Sequence, residues 1–112
     1  MLPRDRSYLI DLVQAGKLIQ DFIQGIDKER FDNSSLIQSA VIRQIEIIGE
    51  ATKRLSEKCR SEHSEIPWKK IAGMRDILIH AYDHVDIDEV WNAVDTSIPS
   101  LIKQIETLIP SS

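Results

Sequence analysis

Cysteine occurs once in the 112 residues, at Cys59, so no disulfide can close within the chain. No apolar run approaches the roughly 20 residues that a bilayer span needs. The opening Met1-Leu2-Pro3-Arg4-Asp5-Arg6 has no apolar stretch of signal-peptide type behind it. These absences lead to the expectation of a cytoplasmic chain that does not enter a membrane. An excess of positive charge is also missing: 14 Lys and Arg face 18 Asp and Glu, a formal net charge of -4. That excludes indiscriminate affinity for nucleic acid, whose phosphates are held chiefly by clustered cations. No repeat, low-complexity tract or linker divides the chain, so residues 1–112 read as one domain.

What is present is an ordinary globular balance, 42% apolar and 29% charged. The apolar residues recur with helical spacing, and no stretch shows sustained period-two alternation. Four helices are predicted. The first runs from Asp5 to Gln24, with Leu9, Leu12, Val13, Leu18, Ile19, Phe22 and Ile23 on one stripe and Gly25 as its stop. The second runs from Ser35 to Arg60, with Ser35 and Gln38 at capping-box spacing. Its apolar residues wrap around more than one face, as in a helix that is central or also covered by a partner. Gly49 inside it suggests close approach of another backbone. A third helix is predicted from Lys69 to His84, and a fourth from Asp86 to Ile109 with an Asp86/Glu89 cap, a Val85/Val90 staple, and a kink or split at Pro99. Short connections between such helices imply antiparallel neighbours, hence an all-α, four- to five-helix up-down bundle.

The charges are unevenly spread. Half of the cations fall between Lys53 and Arg75, whereas Lys103 is the only one after Arg75, among seven carboxylates. One face would attract a polyanion and the rest repel it; the plain alternative is solvated helix faces. On a continuous third helix, Arg75, Asp76, His80, Tyr82 and Asp83 would share the arc opposite Ile71, Met74, Ile77, Leu78 and Ala81, and Asp76 would lie one turn from His80. Cleaving RNA without a metal requires a base for the ribose 2′-OH, an acid for the leaving 5′-oxygen and a cation for the phosphoryl oxygens. Histidine serves both proton roles near neutrality, and arginine offers a planar fork of donors to phosphate. One chain holds one well-positioned histidine, so two chains facing each other would supply both.

Ile48-Gly49-Glu50-Ala51, Ile66-Pro67-Trp68-Lys69, Gly73-Met74-Arg75-Asp76, His80-Ala81-Tyr82 and Val85-Asp86, followed by Val90-Trp91, closely resemble the HepT-like branch of the HEPN superfamily. The resemblance spans essentially the whole chain. Arg, four to six residues, then His is a weak pattern; Arg-x4-His-x-Tyr in this frame is specific. It implies a homodimeric, metal-independent endoribonuclease without a cofactor, the toxin of a type VII-like toxin–antitoxin pair. By this likeness Arg75 and His80 are catalytic and Asp76 supports them. The small nucleotidyltransferase antitoxin would attach AMP to Tyr82, where a nucleotide would mimic the RNA. On charge alone, Asp76 and Asp83 beside the site would repel RNA, so its affinity would come from Lys53, Arg54, Lys69, Lys70 or the partner chain.

Blander readings stand beside these. Arg75 and His80 could form a surface ion-pair lattice with Asp76 and Asp83, and Tyr82 could be a rim residue. His80 and His84 have a zinc-compatible spacing, but no third ligand is fixed by the sequence. Trp68 reads as a packing anchor before a base-stacking platform, Trp91 as core, His63 as surface, and Cys59 as unactivated. The rival to an enzyme is a non-catalytic helical module that docks on a nucleotidyltransferase and binds nucleotide with the same polar patch.

Overall fold

The chain begins with α1 (Pro3–Phe22), whose first turn carries Pro3, where the missing N–H would have no helical partner anyway. In the computed structural model the described residues are 1–81 and 84–110; at 77–81 and 84 the description covers the backbone alone. The α1 stripe buries Leu9, Leu12, Val13, Ala15, Gly16 and Ile19, while Leu18 turns outward at 42% exposure. Gly25, at φ 73°, makes the left-handed turn that ends this segment. A short α2 (Lys28–Asp32), capped by Asp27, puts Phe31 into the core.

The long α3 (Ser35–Arg54) is capped by Ser34, whose hydroxyl accepts from the Ile37 N–H at 3.1 Å, and not by Ser35. Gln38 does not close a capping box. Its amide donates to the Phe31 and Asp32 carbonyls, tying α3 to the end of α2. The predicted second helix also ends six residues early: Leu55 is extended, and Ser56 caps a separate α4 (Glu57–Glu62) by accepting from the Cys59 N–H. Buried Asp5 secures this break, accepting from the Ser56 N–H at 2.8 Å and its hydroxyl at 2.6 Å. The contact joins the start of α1 to the end of α3, so the two run antiparallel.

The third predicted helix is divided. Trp68–Ala72 forms α5, Gly73 closes it, and Met74–Leu78 forms α6. Backbone pairing then takes over: β1 (Ile79–Ala81) runs antiparallel to β2 (His84–Val85), with Ile79 opposite Val85. Ile79 and Val85 are both β-branched and favour an extended backbone, and a ladder so near a helix end competes with further helical turns. The continuous helix from Lys69 to His84, and the arc of side chains drawn on it, are therefore corrected.

The fourth helix starts where expected, with the Asp86 carboxylate accepting from the Glu89 N–H at 3.1 Å. It comprises α7 (Ile87–Asn92), a π-helical turn over Ala93–Ser97, and α8 (Ile98–Glu106). The break expected at Pro99 is present, as a π-helical turn ahead of it with Pro99 itself in the first turn of α8. The chain widens just before the proline, and the Ile98 N–H reaches five residues back to the Ala93 carbonyl. α8 returns antiparallel along α1 at close range, for a Cβ on Gly16 would lie 2.6 Å from Ile102. The core is drawn almost wholly from the helices, with Leu55 and Ile66 added from the connections, so the all-α expectation holds among the described residues apart from the short β1–β2 ladder.

Candidate active site

Arg75 and Asp76 stand in the first turn of α6, directly after Gly73, whose carbonyl accepts the Asp76 N–H at 3.0 Å. Met74 packs against the core while its neighbour Arg75 faces solvent. The Arg75 guanidinium lies 3.6 Å from the Asp76 carboxylate, and the side chains are 45% and 69% exposed. An ion pair so open to water is worth about 0–1 kcal/mol, too little to hold the guanidinium away from an incoming phosphate. His80 belongs to β1, with its side chain outside the description, and Tyr82 and Asp83 lie outside the described residues. Since α6 ends at Leu78, the one-turn helical spacing expected between Asp76 and His80 is not formed. Asp76 is instead engaged with Arg75.

Behind α6 stands the approach expected of Gly49. A Cβ there would be 3.4 Å from the Ala72 carbonyl, so α3 meets the end of α5 almost backbone to backbone. Lys53 follows Gly49 by one helical turn and is exposed, as are Lys69 and Lys70 at the start of α5. None of these three is in an ion pair among the described residues. Arg54 differs in having a partner: its guanidinium meets Glu50 with both contacts at 3.1 Å, in a pair as open to water as that of Arg75, so a carboxylate stands beside its charge.

The plainer expectations for neighbouring residues are settled too. Trp68 is 7% exposed and its indole N–H donates to the His63 carbonyl at 3.0 Å, which fixes it as a packing anchor. Trp91 is half-buried against Phe31, ring centroids 5.1 Å apart. Burial, with Asp5 and Glu62 nearby, pushes the Cys59 thiol up, away from a nucleophilic thiolate. His63 is part-buried in the loop after α4, 4.0 Å from Glu65. No helix is long and apolar enough to cross a membrane among the described residues.

One feature had no signal in the sequence. A groove of about 350 Å³ runs between the α5–α6 corner and the α7–α8 helix. Its apolar floor includes Ile71, Met74 and Leu101, and its rim carries Lys70, Glu89, Asn92 and Gln104. The rim residues are 34 positions apart at the extremes and gather only once the helices pack.

The described residues thus form a small helical domain with an exposed arginine near a helix start, exposed cations on the adjoining elements and a groove alongside. The chain is a member of the HepT-like ribonuclease family, whose model, "Ribonuclease HepT-like", matches residues 12–108. It is 45% identical over 103 residues to a protein of Thermococcus cleftensis named "Probable ribonuclease HepT", covering 92% of this chain and 94% of that one. A "Putative RNase" of Caldanaerobacter subterraneus is 39% identical over 104 residues, 93% of each chain. Another "Putative RNase", from Methanocaldococcus jannaschii, is 36% identical over 107 residues, 95% and 98% of the two chains. No solved structure matches.

Proposed function

We propose that the protein is a metal-independent endoribonuclease whose active site is shared by two copies of the chain, with Arg75 and His80 as the catalytic pair. The observation that carries this reading is the Arg75-x4-His80-x-Tyr82 pattern in a HepT-like chain, with the Arg75 guanidinium open to solvent and only weakly paired. One His80 imidazole takes the proton of a ribose 2′-OH as its oxygen attacks the phosphorus. The other, protonated, gives a proton to the departing 5′-oxygen. The two Arg75 forks neutralise the charge that gathers on the phosphoryl oxygens. The products are a 2′,3′-cyclic phosphate and a free 5′-OH. Asp76 tempers Arg75 until RNA displaces it, and Lys53, Lys69 and Lys70 hold flanking phosphates, with a lesser part for the Glu50-bound Arg54.

The dimer is supported by the apolar surface left on α3. Leu36 is 80% exposed there, with part-buried Ile47 on the same side of the helix, a strip that a second copy would cover. In a type VII-like pair, the nucleotidyltransferase antitoxin directs the Tyr82 phenol oxygen onto the α-phosphorus of ATP. AMP is transferred and pyrophosphate leaves, and the added nucleotide occupies the room of the substrate. Replacing Tyr82 with Phe should abolish incorporation of label from α-labelled ATP.

The test is RNA digestion by the purified dimer with EDTA present. Wild type should leave 2′,3′-cyclic phosphate ends, while Arg75→Ala and His80→Ala should each lose about 10²-fold or more in rate and keep the wild-type mass by light scattering. Equal cutting by all three proteins would refute the assignment; no cutting by wild type, with nucleotide binding intact, would favour the non-catalytic module.

A further inference from the structure

The groove beside α6 is not used by the chemistry just described. Its volume, about 350 Å³, lies at the small end of ligand sites, too little for a folded partner and ample for one planar ring. Its floor is apolar, and the Met74 thioether there is of the kind that makes favourable contacts with aromatic rings. Its rim is not apolar. Asn92 and Gln104 each bring an amide with donor and acceptor, Lys70 brings a cation, and Glu89 a carboxylate. The Glu89 N–H is spent on the Asp86 cap, whereas its carboxylate takes part in no hydrogen bond or ion pair among the described residues. A carboxylate in that position accepts from an N–H₂ group and repels a carbonyl edge. Met74 lines the groove and Arg75 is the next residue of α6, about 100° further round the helix, so the guanidinium stands on the adjoining face of the same turn and not in the groove itself.

We propose that this groove is a base-reading subsite: it seats one nucleobase of the RNA strand next to the cleaved phosphate and selects bases with an exocyclic amino group, which Glu89 accepts from, over uracil. The inference rests on the ribonuclease reading for its biological meaning, but it makes a claim about binding that is measured without cleavage. The base lies on Met74 between Ile71 and Leu101, its amino edge toward Glu89. The π-turn ahead of Pro99 contributes by bowing the far wall, for Ala93 and Ser97 of that turn line the groove.

The experiment follows the side-chain amide signals of Asn92 and Gln104 by NMR as CMP, AMP or UMP is added to the full-length protein. Glu89→Gln and Ser100→Trp, the latter filling the groove from an exposed position, are compared with wild type. CMP and AMP should shift these signals with an affinity at least about fivefold above that of UMP. Glu89→Gln should erase that difference, and Ser100→Trp should remove the shifts for all three. Equal affinities in wild type, or shifts that survive Ser100→Trp, would overturn the subsite. So would dissociation of the dimer by Ser100→Trp, because the groove would then be an interface between copies. RNA cleavage is scored separately on the same preparations against His80→Ala, so failure of the nuclease reading and failure of this one appear in different signals.

Discussion

Asp5 is a buried carboxylate whose partner, Ser56, is 51 residues away, and no local pattern announces it. Burial alone would raise its pKa, but the Ser56 hydroxyl and N–H, with Arg4 close by, outweigh that and leave the carboxyl below its usual value. The unfolded chain therefore binds this proton more readily than the folded one. Its stabilisation is complete at pH above the unfolded carboxyl value of about 3.9 and fades as pH falls through the lower folded value. Asp5→Ala should cost about 1–3 kcal/mol at pH 7, because the Ser56 donors lose their acceptor in a dry site. Urea unfolding at pH 7 and pH 3 should find this penalty shrinking on acidification. Arg75, His80 and Tyr82, by contrast, are singled out by residue type and spacing alone, without any tertiary contact, and their roles rest on the proposed chemistry. Arg75→Lys keeps the charge and loses the fork, so its cleavage rate should stay well below wild type.

Among the elements, α1 and the start of α7 were readable because their signals are local: an apolar stripe, a Gly25 stop, an Asp86 cap. The second helix was overrun because its apolar pattern continues past Leu55; the Asp5 contact that secures Ser56 as a new cap is tertiary. The third was overrun because helical spacing and the β1–β2 ladder compete over the same residues, and pairing with Val85 is not visible at helical period. Pro99 was read correctly as a disturbance, but the sequence does not reveal that a π-turn absorbs it. Gly16 carries no such local signal, because a small gap in an apolar stripe gains its meaning only when Ile102 fills it. Gly16→Ala gains about 1 kcal/mol of helix propensity, yet its Cβ would collide with Ile102, and overpacking of this kind costs about 1–3 kcal/mol. Thermal melting should show a net loss of stability.

For the molecule as a whole, the net charge of -4 opposes RNA, so the proposed binding has to draw on exposed cations that are not already in ion pairs among the described residues. Lys53, Lys69 and Lys70 meet that condition and Arg54, beside Glu50, does not. Each lysine that contacts a phosphate should contribute about 0.7 to the slope of log affinity against log salt. Its alanine variant should lower the slope by that amount, whereas Arg54→Ala should lower it less. The groove was beyond sequence reading for the same reason as the Asp5 contact, since Lys70 and Gln104 meet only after the bundle closes. Family membership makes the chain a HepT-like ribonuclease, and the central claim added here is that two copies build one site. The most direct test is a mixed dimer, purified through two different tags, that joins a wild-type chain to a His80→Ala chain. With base and acid drawn from different subunits, it should cut RNA at a small fraction of the wild-type rate; retention of about half the activity, as expected of two independent sites, would contradict the shared site.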